Sequence, residues 1–466
     1  MKFLSSAYAV TECVADASDV ARDGLGGSVL TTQMPSVPSS QATSKTHPTA
    51  TSLLAGDAGA PPPPTASTSA TTPPLVEWTL YGSKLDLTHF KKTHPGGDLA
   101  LILGAGRDCT ELFEQYHLRP PTKTLLKWGV TPPPRDAFHA DLLAAAAALP
   151  NTKATTWHIF VSTLTAAITL AAWVGWAHGS YVALFIVPVA NWLLSVNVAH
   201  DAAHFAFSTS PLLNELLALL SCPLLFNTSH WYLQHNVSHH IYTNEPGKDL
   251  DLSHFMPFAR LHAGTKWKPA FARNVAWVAF GFSFAALAES MFFPFFTKYK
   301  RKQLGEVKYV NARTRIGSAV QMSISLAVIL LPYFWFSLPK AILFATVPFA
   351  ITSFLFMSIS QISHVQEVAQ GATTKEEHWT RRQVKSSLDY SQDSHLVSYL
   401  TGGLNSQGLH HLLPFLSSSR FVDFYPTYRR ICKKHDIQIH ESKSFFHSYY
   451  SFWMHVGALS EPLVMH

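Results

Sequence analysis

The sequence predicts a mainly α chain, in which a small α+β domain near the N-terminus precedes an α-helical integral-membrane domain with about four transmembrane helices. Three observations carry this expectation. Charge-free runs near 20 residues long recur from residue 157 onward in the 466-residue chain, each long enough to cross hydrocarbon as a helix. Short strand-like segments around residues 79–87 lead into a His-Pro-Gly-Gly turn at 94–97. Histidines gather at four places beside the apolar runs.

Residues 1–74 are rich in Ser, Thr, Ala and Pro and include the run Pro61 to Pro64. Such a composition has too little apolar surface to offset the entropy of ordering, so it reads as a disordered or targeting extension. Met1 to Val10 makes a poor secretory signal, because Asp16, Asp19 and Asp23 follow without a cleavage context. Cys13, Cys109, Cys222 and Cys432 are scattered, which argues against a disulfide framework or a zinc site and for a reducing compartment. The net charge of +6 does not mark a nucleic-acid binder. The basic residues concentrate between Lys298 and Arg315, as expected of a cytosolic loop beside anionic lipid.

In residues 75–132, Thr79 to Leu87 reads as strand, turn and strand. His94 then stands in the Pro-Gly-Gly turn, and His117 follows a short helix in Glu114-Gln115-Tyr116-His117. Two such imidazoles can hold haem iron from both sides, leaving no open position, so the site would pass electrons and not bind oxygen. The paired glycines allow close backbone approach. This stretch resembles a cytochrome b5 domain, and the resemblance makes His94 and His117 the axial ligands of haem b. Asp98, Glu111 and Glu114 would then form an acidic rim for a reductase.

After a linker at 133–156, the membrane domain runs over 157–445, with a tail at 446–466. Trp157 to Ala177 and Tyr181 to Ala199 form one hairpin of spans, and Ile316 to Phe336 and Ala341 to Ser360 another. The stretches 212–226 and 276–296 are ambiguous. Histidine clusters can share a site only when an even number of spans separates them, so both stretches are expected in the interface. The lysine and arginine positions put all the clusters on the cytosolic face.

His200 and His204 in His200-Asp201-Ala202-Ala203-His204 lie four apart and share a helix face. His235 and His239 repeat the spacing in Gln234-His235-Asn236-Val237-Ser238-His239-His240, with His240 adjoining. Gln407-Gly408-Leu409-His410-His411 adds a carbonyl and two imidazoles, and His364 follows the fourth span. These donors exceed the four that one zinc takes and suit two ions. Imidazole alone does not choose the metal, but a haem donor beside the site favours redox-active iron. Asp201, Asp249 and Asp251 are candidates to orient the imidazoles. Trp192, Phe205, Phe207 and Trp231 are candidates to line an acyl tunnel.

Taken in order after His94-Pro95-Gly96-Gly97, these three boxes resemble the cytochrome b5-fused front-end fatty-acid desaturases over residues 75–445. The glutamine opening the third box is the mark of that group. The resemblance implies a di-iron site held by His200, His204, His235, His239, His240, His364, Gln407, His410 and His411. It implies O2 as co-substrate and NADH-derived electrons arriving through a cytochrome b5 reductase. It also implies a membrane-lipid or acyl-CoA substrate, and a cis double bond placed at Δ5 of a C20 polyunsaturated chain, with Δ4 and Δ6 as alternatives. A sphingolipid long-chain-base desaturase, a b5-fused hydroxylase and a non-catalytic b5 electron carrier are the rival readings. The endoplasmic reticulum is the expected membrane, and a plastid the alternative.

Overall fold

The computed structural model describes residues 76–253, 258–292, 312–371 and 378–462. The extension 1–74, Cys13 and the basic residues from Lys298 to Lys308 lie outside them.

The first lobe builds on a three-stranded sheet. Strand Glu77–Leu80 is central, antiparallel to Ser83–Asp86 and parallel to Arg107–Asp108. Tyr81 and Gly82 turn the hairpin with positive φ. Helices Asp98–Leu103, Thr110–Tyr116 and Thr122–Lys127 cover the sheet, and Trp78, Leu80, Leu101, Phe113 and Leu125 fill the core between them. The Trp78 indole donates to Leu101 O at 2.7 Å, which ties strand to helix. The stretch between the two domains is not a bare connector. It contains helix Ala137–Ala147, capped by Asp136 and packed on helix Phe421–Lys434.

Among the described residues, five helices are long and apolar enough to cross a membrane: Thr156–Ala177, Tyr181–Ala203, Pro269–Met291, Arg315–Trp335 and Leu338–Ser363. Four correspond to the expected spans. The fifth, Pro269–Met291, covers most of the stretch that the sequence assigns to the interface. Pro269–Met291 is laid against Leu338–Ser363, with Ala286 N donating to Ser353 Oγ at 2.9 Å.

The second apolar helix is irregular where it matters. After Pro188 it widens into a π-turn at Ser195–Ala199 before His200. Such turns shift the phase of a helix and recur at functional sites. Helix Phe445–Ala458, in the segment read as a tail, packs through Phe452 on Phe282.

Candidate metal and haem sites

Each histidine cluster is placed by its own local device. His200 and His204 occupy the end of the second apolar helix, their ring centres 4.8 Å apart. The second cluster is not a plain α-helix as the spacing suggests, because residues Tyr232–His239 wind as a π-helix. The wider turn brings His235 Nε2 and His240 Nε2, five residues apart, to 3.2 Å. The third cluster rides on helix Gln407–Leu412. Its approach depends on Gly402 (φ 63°) and Gly403 (φ 79°). A Cβ on Gly402 would sit 2.5 Å from Val196 O, so only glycine lets this loop close on the second helix.

The side chains converge. The donor atoms of His200, His204, His235 and His410 all lie within 4.8 Å of one another, as do those of His239, His364 and His411. His235 Nε2 faces both His200 Nε2 and His240 Nε2 at 3.2 Å. One hydrogen cannot serve both contacts, whereas converging lone pairs suit a cation. In the other group the outer nitrogens fix the tautomers. His239 Nδ1 meets Asp249 at 3.1 Å, His364 Nδ1 donates to Ser386 O at 3.0 Å, and His411 Nδ1 meets Gln383 Oε1 at 2.9 Å. His364 and His411 thus present Nε2 lone pairs inward, and His239 does so once a metal displaces its Nε2 hydrogen. The Gln407 amide lies 2.9 Å from His364 Nε2 and 3.1 Å from His411 Nε2. Turning its oxygen inward gives an oxygen donor.

Several of these atoms are buried with no hydrogen-bond partner, among them His204 Nε2, His410 Nε2 and Gln407 Oε1. Unpaired buried polar atoms are costly, and a bound ion is the economical way to satisfy them. Burial holds the His204, His240, His410 and His411 rings well below the usual imidazole value, in the neutral form that binds metal. His239 differs. Burial opposes its charge, yet the Asp249 and Asp251 carboxylates outweigh burial and raise it to about 9, so this corner favours a cation. Two groups of nitrogen and oxygen donors, side by side and sealed from water, fit a pair of metal ions.

Of the three aspartates expected to orient imidazoles, Asp249 does so. Asp251 sits 3.5 Å from His239 Nδ1 and accepts from Gln234 at 2.9 Å. Asp201 serves elsewhere. It accepts from the Ser417 hydroxyl at 2.7 Å and from Ser418 N at 3.1 Å, pinning the first cluster to the loop beyond the third. Thr243 and Asn244 follow the second box directly and resemble the family there, whereas Gln383 and Ser386 carry no mark in the sequence that ties them to the site. Asn244 Nδ2 alone reaches the carbonyls of His364, Ala369 and Ser386. No spacing rule singles out such residues.

His94 and His117 face each other across a cavity of about 610 Å³. Their ring centres are 6.2 Å apart. An iron bonded to both at about 2 Å per nitrogen needs a separation of this size. His94 Nδ1 donates to Gly97 O at 3.0 Å and His117 Nδ1 to Phe113 O at 2.8 Å, leaving both Nε2 atoms for iron. The walls are apolar, and the membrane domain closes them: Phe205, Pro211, Val237 and Phe415 stand opposite Phe90 and Leu125. Phe205, a candidate to line an acyl tunnel, lines this cavity. Phe207 packs on His158. Gly97, with φ 86°, abuts Pro211, so the glycine pair also serves the seam between domains.

That seam takes up two of the three acids expected at an acidic rim. Glu111 accepts from Arg382 at 3.0 Å, and Glu114 accepts from the Trp379 indole at 2.8 Å and from the Tyr81 hydroxyl at 3.2 Å. Gln115 Nε2 donates to His240 O at 2.9 Å. Both glutamates hold the haem lobe on its own membrane domain and are not turned outward to a separate protein.

Comparison with known proteins agrees with this geometry. Residues 175–443 match the family model described as fatty acid desaturase, which covers more than half of the chain. The chain belongs to the fatty acid desaturase family. In front of that core, residues 78–130 of this desaturase match the cytochrome b5-like heme/steroid binding domain. It is 32% identical over 449 residues to an acyl-lipid omega-13 desaturase of Chlamydomonas reinhardtii, covering 83% of this chain and 93% of the relative. It is 26% identical to an acyl-lipid (8-3)-desaturase of Mortierella alpina, over 81% and 92% of the two chains. It is 27% identical to Delta(8)-fatty-acid desaturase 2 of Arabidopsis thaliana, over 77% and 84%. The desaturase thus shares the b5-fused front-end architecture along nearly its whole described length.

Proposed function

We propose that this b5-fused desaturase places a cis double bond at Δ5 of a polyunsaturated acyl chain, using O2 and electrons delivered through its own haem. The observation that carries the reading is the joint burial of eight histidines and Gln407 beside a bis-histidine haem cavity. His200, His204, His235 and His410 would hold one iron, and His239, His364, His411 and Gln407 the other, with His240 between the groups. Two such irons supply the O2 activation needed to remove hydrogens from an unactivated methylene.

The protein's own residues do the rest. Asp249, Ser386 and Gln383 hold the inner nitrogens as lone-pair donors. The low-dielectric surroundings keep water from competing for the site. Trp192, Phe226, Trp231, Phe356 and Leu404 wall a narrow apolar pocket that also touches His200, His235, His239 and His364. An acyl methylene threaded there would lie beside both irons.

The relatives' names support a bond near the carboxyl end, and one bears on chain length. On an 18-carbon chain, a bond 13 carbons from the methyl end falls at carbon 5 from the carboxyl. A C20 substrate is our first assignment, and that name favours C18 as the second. Electrons from NADH through a cytochrome b5 reductase, a membrane-lipid or acyl-CoA substrate, and an endoplasmic-reticulum membrane with the metal face cytosolic complete the proposal. Expression in yeast fed C18, C20 and C22 polyunsaturated acids, with bond positions read by mass spectrometry, tests it. A new Δ5 bond is expected. A Δ4, Δ6 or Δ8 product would reassign the position, and a product found only on long-chain bases would reassign the substrate class.

A further inference from the structure

Gln115 ties the haem lobe to the His240 backbone, and Tyr116 ties it to an imidazole of the metal cluster. Tyr116 is the covalent neighbour of His117, and its ring lines the haem cavity. Its hydroxyl lies 2.8 Å from His204 Nδ1, a histidine 88 residues further along the chain. Asn236 Nδ2 donates to the same hydroxyl at 3.3 Å and to Ala203 O at 2.8 Å, which fixes the contact from the side. With His204 Nε2 turned to a metal, Nδ1 carries the ring hydrogen and donates it to the Tyr116 oxygen.

We infer that Tyr116 is the electron bridge between the haem and the non-haem metal pair. The inference rests on the metal reading above and goes beyond it. The route runs from His117 along one peptide unit to Tyr116, down its ring, and across a single hydrogen bond to His204. Electron tunnelling falls off more slowly through bonds than through space, so a path with one hydrogen-bond step outcompetes the apolar walls around it. Each transfer moves one electron: ferrous haem becomes ferric, one ferric non-haem iron becomes ferrous, and Tyr116 is unchanged. Two transfers serve each double bond, with a pyridine-nucleotide-linked reductase or dithionite re-reducing the haem between them.

The test uses the purified full chain carrying haem and iron. Iron is counted, and reoxidation of dithionite-reduced haem is followed at its Soret band by stopped flow. Reduction of the non-haem iron by a small dye is followed separately. In Tyr116→Phe, haem reoxidation is expected to slow roughly tenfold or more relative to the dye-driven rate. In Asn236→Ala, which keeps the Tyr116 hydroxyl and removes only its lateral restraint, that ratio is expected to fall by less than in Tyr116→Phe. An unchanged ratio in Tyr116→Phe overturns the bridge. So does an equal fall of both rates, or loss of non-haem iron from that variant, since either makes Tyr116 a positioning residue for His204. A wild-type chain without non-haem iron would instead sink the metal reading beneath it.

Discussion

The Asp249 carboxylate and His239 Nδ1 lie 3.1 Å apart, with both side chains almost sealed from solvent. Asp249 also accepts from Asn244 N and Asp251 N at 2.9 Å, so its position is fixed by the backbone around it. Asp249→Asn keeps the shape and removes the charge that favours a cation at His239. Iron affinity is expected to fall by about 10–100-fold, as for other outer partners of metal-binding histidines. Titration of the apo form with ferrous iron checks this, and an unchanged affinity would make the pair merely structural.

His364 is the donor that sequence spacing marks least, yet its Nε2 lies within 3.3 Å of both His239 Nε2 and the Gln407 amide. His364→Ala is expected to reduce non-haem iron from about two to about one per chain and to lower desaturation by at least ~100-fold. The haem spectrum should stay as in wild type. Full iron occupancy in the variant would remove His364 from the site.

Trp379 closes the seam between lobes by donating to Glu114. Trp379→Phe leaves a buried carboxylate oxygen short of one donor, a loss of about 1–3 kcal/mol. The haem lobe should then detach more readily, giving earlier proteolysis between residues 117 and 137 and slower haem-driven turnover. Equal protease resistance in the two proteins would show that the remaining seam contacts suffice.

His139 is buried in helix Ala137–Ala147, edge-on to Trp379, with neither ring nitrogen hydrogen-bonded. Burial, with Arg135 and His378 nearby, pushes its pKa down to about 3. The unfolded chain therefore binds this proton more readily than the folded one below the ordinary imidazole value of about 6.5. The stability contributed is full above about 6.5 and is lost as pH falls toward 3. His139→Leu is expected to flatten the fall in thermal midpoint between pH 6.5 and 4.5, measured in detergent. An unchanged slope would assign the acid sensitivity to other groups.

The parts of this protein visible in its sequence are those that repeat a local pattern. His94 and His117, the paired histidines of each cluster, and the uncharged runs that became helices all declare themselves within a few residues. What stayed hidden depends on distant partners or on a change of helical winding. The π-winding that brings His240 to His235 has no compositional mark. Glu111 and Glu114 look like a solvated face until Arg382 and Trp379, some 270 residues later, fold over them. Asp201 lies between His200 and His204 in sequence, yet its carboxylate accepts from Ser417 and Ser418, more than 200 residues later. Pro269–Met291 has the length and apolarity of a span, although the sequence reading sets most of it in the interface.

The central claim is that remote stretches of chain close around two irons. Iron analysis of the purified holoprotein, combined with X-ray absorption at the iron edge on a haem-free His94→Ala, His117→Ala form, tests it most directly. About two non-haem irons per chain in shells dominated by nitrogen at about 2 Å are expected. A chain carrying haem iron alone, or zinc in place of the pair, would contradict it.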